Sequence, residues 1–505
     1  MILVHAVLLL SWWPLLPFFL DSYYHLNVIQ AFRDAGGVVL HDFWEFAPLG
    51  RPHLYPPALH LLVLSLDWCH LPPVTLARLL TVVTYPVLLL ATWWFMRTWW
   101  GSVPAYWATL CSVLPFSYLL VSCNTVAASW AIVAWLVGLV ALFHRARLAF
   151  VLCGALVFYT HLGMPWVMVC SWMLVGLWYA PMRGFLLRAA AWTFALASPW
   201  LWHLWRHHAS LGPMSSLENT QLELPILLYL FALVGLGMVL KERSTTAGRL
   251  LLSLWASLWL MVIHYRFRFF SGQGILGISL LAGLGLTRIH AWMEGVWRGR
   301  VRVAAWVIPA MLTCLAIAVN STVFLQEGRR FVVVGDSSLL DLTLRSEHVT
   351  RGYGSSFYRP QFMSPIGQLI DQHSQADELI GCNFPYTCGL FAAVSHRAMA
   401  TGMFAEVRAA QQQPLETLRH AHLIVWLKAA SLPGMPSLTQ LQREWSLRLI
   451  GETDMAFVFR NPLATTRRQV ATPVLPLWLG FVFLWGAIGM VIVDLSWHRE
   501  QRGRI

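Results

Sequence analysis

Asp21 is the residue whose type and position in this sequence best suit chemistry. It follows the first apolar segment, residues 2–20, and is itself followed by Tyr24 and His25. A carboxylate inside the hydrocarbon costs about 2.5–3.5 kcal/mol, so a chain tends to keep one near a membrane for a purpose. At the mouth of a transmembrane helix, Asp21 would be partly desolvated yet reachable by a polar substrate, which suits a general base. An ordinary interfacial helix end is the alternative, and Asp21 alone does not decide between them.

Further candidates lie in the polar and aromatic stretch after Asp21. His25 could support the carboxylate of Asp21 or contact a substrate, or it could lie on the polar face of an in-plane helix. Asp42 and Glu45 are second candidates for a base or a metal ligand. Most loop carboxylates, however, are simply solvated.

Arg266 and Arg268 alternate with aromatic residues in the stretch 264–270. Guanidinium groups bind phosphate through a bidentate fork, and aromatic rings settle at the depth of lipid headgroups. A lipid-linked phosphate is therefore a suitable ligand. Snorkelling toward the interface, or contact with ordinary anionic lipids, explains the pattern about equally well. His161, in the short connection 159–163, could bind a sugar hydroxyl or a phosphate, although a satisfied interfacial histidine is the commoner case.

The composition places these residues in a membrane. Of 505 residues, 58% are hydrophobic and 11% are charged, whereas soluble domains carry about 25% charged residues. The net charge of +12 does not indicate nucleic acid, because the basic residues are spread over short loops between apolar runs. That distribution follows the positive-inside rule.

Apolar windows predict about twelve transmembrane helices in a polytopic α-helical membrane protein. The spans lie near residues 2–20, 73–97, 102–121, 125–143, 148–161, 163–180, 185–205, 223–240, 248–264, 272–290, 303–325 and 472–494. The apolar piece 58–71 is short and contains His60, Asp67 and His70. If it lies in the interface plane, the arginine-rich loops sort to one side. We therefore predict cytoplasmic termini and an outer loop over residues 21–72.

Residues 326–471 are the one stretch polar enough to form a separate domain, which we predict to be a C-terminal, extracytoplasmic mixed α/β domain. The protein then divides into a transmembrane module (1–325), this domain, and a last helix with a cytoplasmic tail (472–505). The predicted strands are Phe331–Val334, Leu379–Cys382, Leu423–Leu427, Leu447–Ile450 and Met455–Phe459, and the predicted helices are Ser364–His373 and Pro414–His420. In an oxidising compartment, Cys382 and Cys388 could form a disulfide.

Two segments of the first outer loop resemble the GT-C glycosyltransferases. They are Asp21-Ser22-Tyr23-Tyr24-His25 and Gly50-Arg51-Pro52-His53-Leu54-Tyr55-Pro56-Pro57-Ala58-Leu59-His60. The superfamily includes oligosaccharyltransferase catalytic subunits, protein mannosyltransferases and aminoarabinose transferases. Segments 391–397 and 402–407 are similar to uncharacterised archaeal and bacterial members. The plan of many spans, a first outer loop and a late outer domain is also similar.

The resemblance implies transfer of a sugar from a polyprenyl-phosphate or polyprenyl-pyrophosphate donor, in the cell membrane, with the active site on the extracytoplasmic face. The acceptor would be a glycan, a lipid or a protein. Asp21 would be the base. Substrate contact is assigned to Tyr24, His25, Glu45, Arg51, His53, Tyr55, His161, Arg266 and Arg268.

The second outer loop departs from the oligosaccharyltransferase pattern. It reads Ser122-Cys123-Asn124-Thr125 and has no carboxylate to hold a divalent metal. We therefore expect transfer of one sugar without a required metal or other cofactor. A transporter of lipid-linked precursors is a second interpretation, for which midplane helix breaks and a repeat between halves would be expected. A GT-C scaffold without catalysis is a third.

Overall fold

The fold is taken from a computed structural model of the chain. It describes residues 1–17, 21–66, 71–124, 126–211, 222–264, 266–270, 272–297, 310–315, 321–326, 330–335, 343, 360–403, 414–428 and 436–503.

Most of the described chain is helical, as the long apolar runs predict. The helices of the first two thirds are α1 Ile2–Ser11, α2 Asp21–Ala35, α3 Ala58–Ser65, α4 Pro73–Trp100, α5 Ser102–Val113, α6 Phe116–Asn124, α7 Val126–His144, α8 Arg147–Thr160, α9 Met164–Trp178, α10 Ala180–Arg206, α11 Ile226–Lys241, α12 Thr246–Leu258, α13 Leu260–His264, α14 Arg266–Phe270 and α15 Ile275–Trp297. Those of the last third are α16 Pro360–His373, α17 Pro385–Ser395, α18 Pro414–Leu418, α19 Leu438–Trp445 and α20 Leu477–Gly503.

Within the described residues, five helices are long and apolar enough to cross a membrane, or six when a bent pair is counted as one span. They are Pro73–Trp100, Val126–His144, Thr246–Ile263, Arg268–Met293 and Leu477–Gln501, and the bent pair is α5 with α6. Four shorter apolar helices, α1, α8, α9 and α11, accompany them. The protein is therefore a multi-pass membrane protein, while the number twelve stays a prediction.

The predicted span 102–121 is not one straight helix. It breaks between α5 and α6, whose axes meet at 82°. Pro115 stands at the break, and proline has no N–H to continue a helix and clashes with the preceding turn. The hydroxyl of Tyr85 donates to the carbonyl oxygen of Ser112, at 2.9 Å, and so satisfies one of the acceptors at the end of α5.

Two other predicted spans differ from the prediction at one of their ends. The span 223–240 begins as a helix only at Ile226, because Leu222–Pro225 forms strand β4. The span 303–325 cannot be helical to its end, because residues 321–325 lie in strand β5, Ser321–Gln326. Residues 303–309 and 316–320 of that prediction lie outside the described residues.

Helix α3 answers the question of the apolar piece 58–71. It has eight residues, which make a helix about 12 Å long. The hydrocarbon core is about 30 Å thick. Helix α3 is therefore too short to cross a membrane by itself, in agreement with the prediction of an in-plane helix.

In the part of the chain that the structure describes, the remaining strands, together with β4 and β5, are short and form four small sheets. They are β1 Gly37–Val38, β2 His41–Asp42, β3 Arg51–Pro52, β6 Arg330–Gly335, β7 Ile380–Cys382, β8 Leu423–Leu427, β9 Arg448–Glu452, β10 Ala456–Arg460 and β11 Leu475–Pro476. One sheet has the order β7-β8-β10-β9, with β7 and β8 parallel and the other pairs antiparallel.

Four of the five strands predicted for residues 326–471 are confirmed in this sheet. Leu423–Leu427 has the predicted ends, and the other three differ by one or two residues at one or both ends. The fifth, Phe331–Val334, is a strand but belongs to another sheet, β4-β5-β6, in which β6 pairs with β5. Both predicted helices are also present, as α16 and α18. Cys382 and Cys388 are free, with their sulfurs 2.6 Å apart, so the disulfide stays a prediction.

The sheet region is bonded directly to the first outer loop. The backbone N–H of Ala47 donates to the carbonyl oxygen of Met399, at 3.1 Å. The backbone N–H of Met399 donates to the carbonyl oxygen of Trp44, at 2.9 Å. The side-chain amide of Asn27, on α2, donates to the carbonyl oxygen of Gly389, at 2.9 Å. The helix that begins with Asp21 is therefore held by residues far along the chain.

Candidate active site

Asp21 is the first residue of α2 and is half-buried. A carboxylate in the first turn of a helix is favoured by the positive end of the helix dipole. Residues three and four positions apart share one face of a helix, so Asp21 lies on the same face as Tyr24 and His25. These two side chains are buried, and their contacts identify what lies beside the acid.

Tyr24 leads to a buried ion pair. Arg51 donates from Nε to Oε2 of Glu45, at 2.7 Å, and from Nη2 to the hydroxyl of Tyr24, at 3.2 Å. Arg51 is 0% exposed and Glu45 is 1% exposed. Desolvation by itself would lower the pKa of Arg51, but the charges of Glu45, Tyr24 and Asp42 outweigh it and raise the pKa above its ordinary value. Arg51 and Glu45 form a buried ion pair.

Glu45 also joins the loop to the sheet region, because its Oε1 accepts from the backbone N–H of Met403 at 2.6 Å. Glu45 and Arg51 were expected to contact substrate. In this structure their polar atoms are engaged with protein groups, and both side chains are buried.

The antiparallel β2–β3 pair places Asp42 opposite Arg51. Gly50 precedes β3 with a φ of +68°, and a Cβ at this position would overlap the carbonyl oxygen of Asp42. Glycine adopts positive φ without the steric cost of a side chain. Asp42 accepts from the backbone N–H of Trp44 at 2.7 Å. Burial raises its pKa to about 6, against the lowering effect of Arg51.

His25 leads to a group of buried imidazoles. Its Nδ1 lies 2.9 Å from Nε2 of His60, on α3. The ring of His53 lies 6.0 Å from that of His60, and the backbone carbonyl of His53 accepts from Nε2 of His203, on α10, at 2.7 Å. Burial lowers the pKa of His25 to about 3 and also lowers those of His53 and His60. These imidazoles are therefore neutral near pH 7.

Tyr55 is half-buried at the centre of the candidate residues. Its ring lies 5.2 Å from His25, 5.7 Å from Tyr24 and 6.2 Å from His161, in edge-to-face geometry. Such edge contacts are the favoured arrangement of aromatic rings. Tyr55 thus joins α2, the first outer loop and the α8–α9 connection.

His161 lies in the short connection between α8 and α9, directly after the last residue of α8. Its Nδ1 accepts from the backbone N–H groups of Gly163 and Met164, at 2.9 and 3.1 Å, and so caps the N-terminus of α9. Burial, with smaller effects from Arg268 and His25, lowers its pKa to about 3. His161 is therefore a histidine whose Nδ1 is satisfied by the protein backbone, as the second interpretation of this residue expected. The same electrostatic effects mean that Arg268 and His25 lie near His161.

Arg268 is half-buried in the short helix α14. The chain turns sharply after it, where the N–H of Gly274 donates to the carbonyl oxygen of Arg268 at 2.9 Å. A Cβ at Gly274 would overlap the carbonyl oxygen of Phe269. The side chain of Arg266 lies outside the described residues.

The tertiary structure therefore brings the side chains of Tyr24, His25 and His161 around Tyr55. Arg268 contributes to the electrostatic environment of His161. Glu45, Arg51 and His53 are fully buried. Asp21 lies on the same helix face as Tyr24 and His25. Sequence reasoning missed His60 and Arg78 as parts of this region. Arg78, near the start of α4, donates to the carbonyl oxygens of Leu16 and Pro14, at 3.1 and 3.3 Å, and so holds the segment that leads toward Asp21.

A positional signal could have identified Arg78. It is a cation near the predicted outer end of a span, against the charge bias that singled out Arg268. No comparable signal marks His60, which interrupts a short apolar run. Among the described side chains, no group of three or more His, Cys, Asp or Glu residues is arranged to hold a metal ion.

Comparisons by sequence give no match to a family model or to a curated protein. Solved structures do match. The apo oligosaccharyltransferase of Archaeoglobus fulgidus is 12% identical, with a TM-score of 0.58, over 84% of this chain and 69% of that one. ArnT from Cupriavidus metallidurans, bound to undecaprenyl phosphate, is 13% identical, with a TM-score of 0.53, over 92% of this chain and 98% of that one. The chain therefore has a GT-C-like fold.

Proposed function

We propose that this protein is a membrane glycosyltransferase that moves a sugar from a polyprenyl-phosphate donor to an acceptor on the extracytoplasmic side. The observation that carries the proposal is the convergence, within a GT-C-like fold, of the acid-bearing face of α2 with His161 and the nearby Arg268. These groups are distant in sequence. A half-buried acid could serve as the base of sugar transfer, a half-buried aromatic ring could stack on the sugar, and a guanidinium could bind the phosphate.

The ArnT structure from Cupriavidus metallidurans contains undecaprenyl phosphate, which supports a lipid phosphate as the leaving group. In the proposed reaction, the acceptor hydroxyl oxygen attacks the anomeric carbon, and the bond from that carbon to the phosphate oxygen breaks. The hydroxyl proton passes to the carboxylate of Asp21. Arg268 and Arg266 neutralise the charge that develops on the phosphate, where transition-state stabilisation has most effect. Positive charge from arginine suits a second outer loop without a carboxylate.

The half-buried residues Asp21, Tyr55 and Arg268 are the ones we assign to direct substrate contact, together with Tyr24 and His161, which retain slight exposure. The ion pair of Glu45 and Arg51 lies behind them. We assign it to holding Tyr24 and the outer sheet region in place, since its donors and acceptors are used within the protein.

The test is Asp21→Asn in the full-length protein in nanodiscs, supplied with undecaprenyl-phosphate hexoses and an extract of the host's membrane glycans and lipids as acceptors. Loss of a general base lowers the rate by about 10²–10⁴-fold. Asp34→Asn, at the other end of the same helix and paired with Arg468, is the matched control and should keep the wild-type rate. Equal turnover by the two variants would remove Asp21 from the role of base.

A transporter of lipid-linked precursors shares one described feature with this chain, the bend between α5 and α6. Proteoliposomes containing fluorescent undecaprenyl-phosphate hexose separate the two functions. Movement of the lipid between leaflets without any glycosidic product would favour transport over transfer. Donor binding with neither movement nor product would favour a non-catalytic scaffold.

A further inference from the structure

Cys382 and Cys388 are the two cysteines of residues 326–471, and their sulfur atoms lie 2.6 Å apart. Cys382 is the last residue of β7, and Cys388 lies in the N-terminal turn of α17, residues 385–389. Both side chains are 0% exposed. A disulfide bond is about 2.05 Å long, so a small change in side-chain torsion is enough to join the two sulfurs.

The short connection between the two cysteines is held in a fixed shape. The side-chain amide of Asn383 donates to the carbonyl oxygen of Leu427, on β8, at 3.0 Å. The Oδ1 of Asn383 accepts from the backbone N–H of the same leucine at 2.8 Å. Pro385 begins α17, and its ring restricts the backbone there. These restraints hold the end of β7 and the N-terminal turn of α17 in one relative position, which is the condition for a disulfide without backbone movement.

The redox state of the pair depends on the compartment that it faces. Residues 326–471 are predicted to be extracytoplasmic, and disulfides form and persist in oxidising compartments outside the cytoplasm. Burial raises the pKa of the Cys382 thiol well above its ordinary value, and the thiolate is the reacting form of cysteine. The folded, reduced pair is therefore unreactive, so oxidation has to take place during folding, before the two thiols are buried.

The N-terminal turn of α17 also anchors α2. The side-chain amide of Asn27 donates to the carbonyl oxygen of Gly389, the residue after Cys388, at 2.9 Å. Asn27 is 1% exposed, so loss of this bond would leave a buried donor unsatisfied. A Cβ at Gly389 would overlap the side chain of Met403, whose backbone N–H donates to Glu45. A disulfide at Cys388 would thus restrain the turn against which α2 is docked.

We propose that Cys382 and Cys388 form a structural disulfide in the mature protein, and that this bond holds the N-terminal turn of α17 in the position that anchors α2. The two thiols lose two protons and two electrons as the bond between the Sγ atoms forms. The disulfide of an extracytoplasmic dithiol oxidoreductase accepts both protons and both electrons and becomes a dithiol. The inference requires the predicted extracytoplasmic placement of the sheet region, but it does not require the proposed function.

Peptide mapping of the full-length protein tests the bond directly. The protein is expressed in a host with an extracytoplasmic disulfide oxidase, and its membranes are denatured in the presence of N-ethylmaleimide. By mass spectrometry, Cys382 and Cys388 should take up maleimide only after reduction. Cys170, a free cysteine on α9, is the internal control and should be alkylated without reduction. Alkylation of Cys382 and Cys388 without reduction would overturn the inference.

Hydrogen exchange of the full-length protein in nanodiscs tests the anchoring role. Cys382→Ala/Cys388→Ala removes both sulfurs without leaving an unpaired thiol, and Cys170→Ala is the matched control. Loss of a disulfide favours opening of the segment that it closes, so exchange in the N-terminal turn of α17 and around Asn27 should accelerate by about tenfold or more in the double variant. Exchange in α7 should stay at the wild-type rate, and Cys170→Ala should match the wild type throughout.

Asn27→Leu separates the disulfide from its effect on α2. This variant loses the contact with Gly389, so exchange should accelerate in α2 while the disulfide stays intact. Protection of α2 that is unchanged in the double cysteine variant would overturn the anchoring role. Sugar transfer by a protein whose two thiols are both free would refute the disulfide alone. A mapped disulfide in a protein without turnover would refute the proposed function and leave this inference standing.

Discussion

Glu45→Met should destabilise the protein strongly, because it leaves the charge of Arg51 buried and unpaired. The Nε to Oε2 distance is 2.7 Å, and the two side chains are 0% and 1% exposed. At an effective dielectric constant of about 20, the gross attraction at that distance is about 6 kcal/mol. Desolvation offsets part of it, and removal of one partner from a buried pair costs about 3–5 kcal/mol.

The double variant Glu45→Met/Arg51→Met distinguishes a buried pair from a generally sensitive position. Replacing both charges with apolar side chains of similar length removes the unpaired charge, and such replacements are often neutral. We expect the double variant to be more stable than Glu45→Met. The exposed pair of Lys428 and Glu452, with nearly the same N to O distance of 2.6 Å, supplies the control. Glu452→Gln should cost at most about 1 kcal/mol.

The assay is the free energy of unfolding in detergent micelles, combined with hydrogen exchange. Glu45→Met also removes the acceptor for the Met403 N–H, so exchange at that amide should accelerate. A loss below about 1 kcal/mol for Glu45→Met, or a double variant less stable than both single variants, would refute the reasoning. Unchanged protection of Met403 would refute the link between the first outer loop and the sheet region.

Three further outcomes follow from the site. Gly50→Ala should lower the free energy of unfolding by at least about 1 kcal/mol, because φ is +68° and the new Cβ meets the Asp42 carbonyl. Gly237→Ala, where the added Cβ meets nothing within 4 Å, is the control. Equal melting temperatures for the two variants would contradict this prediction. Arg268→Ala should lower kcat/KM for the lipid-phosphate donor by about 10–100-fold, which is the effect of one charge-assisted hydrogen bond. Arg268→Lys should recover part of this loss. An unchanged kcat/KM in Arg268→Ala would exclude Arg268 as the phosphate ligand. Acidification from pH 7 to pH 5 should destabilise the protein, because His25 and His161, with pKa values lowered to about 3, bind fewer protons folded than unfolded below about pH 6.5. At pH 5 the lowered pKa of each histidine costs the folded state about 2 kcal/mol, while protonation of Asp42, whose pKa is raised to about 6, returns about 1 kcal/mol. A stability that rises over this interval would show that the sign is wrong.

The sequence pattern was sufficient to predict those elements whose structure depends on the residues of one short segment. Apolar runs identified the long helices such as α4 and α7, because desolvated backbone requires internal hydrogen bonds. The continuous apolar stretch Leu423–Leu427, which is buried throughout, was correctly predicted as a strand. The candidate acid Asp21 was identifiable from its place after an apolar run. Pro115 was also identifiable as a helix breaker. The size of the bend that it produces, 82°, depends on what packs beside it.

The sequence by itself determined that this is a many-helix membrane chain with an acid after its first apolar run, because hydropathy and residue type are properties of short segments. Tertiary structure alone decided that Arg51 pairs with Glu45 and that His25 bonds to His60, 35 residues away. It also brought the rings of Tyr55 and His161 into edge-to-face contact. Such pairs have no local signal, because their free energy comes from burial and geometry that exist only after the helices have packed.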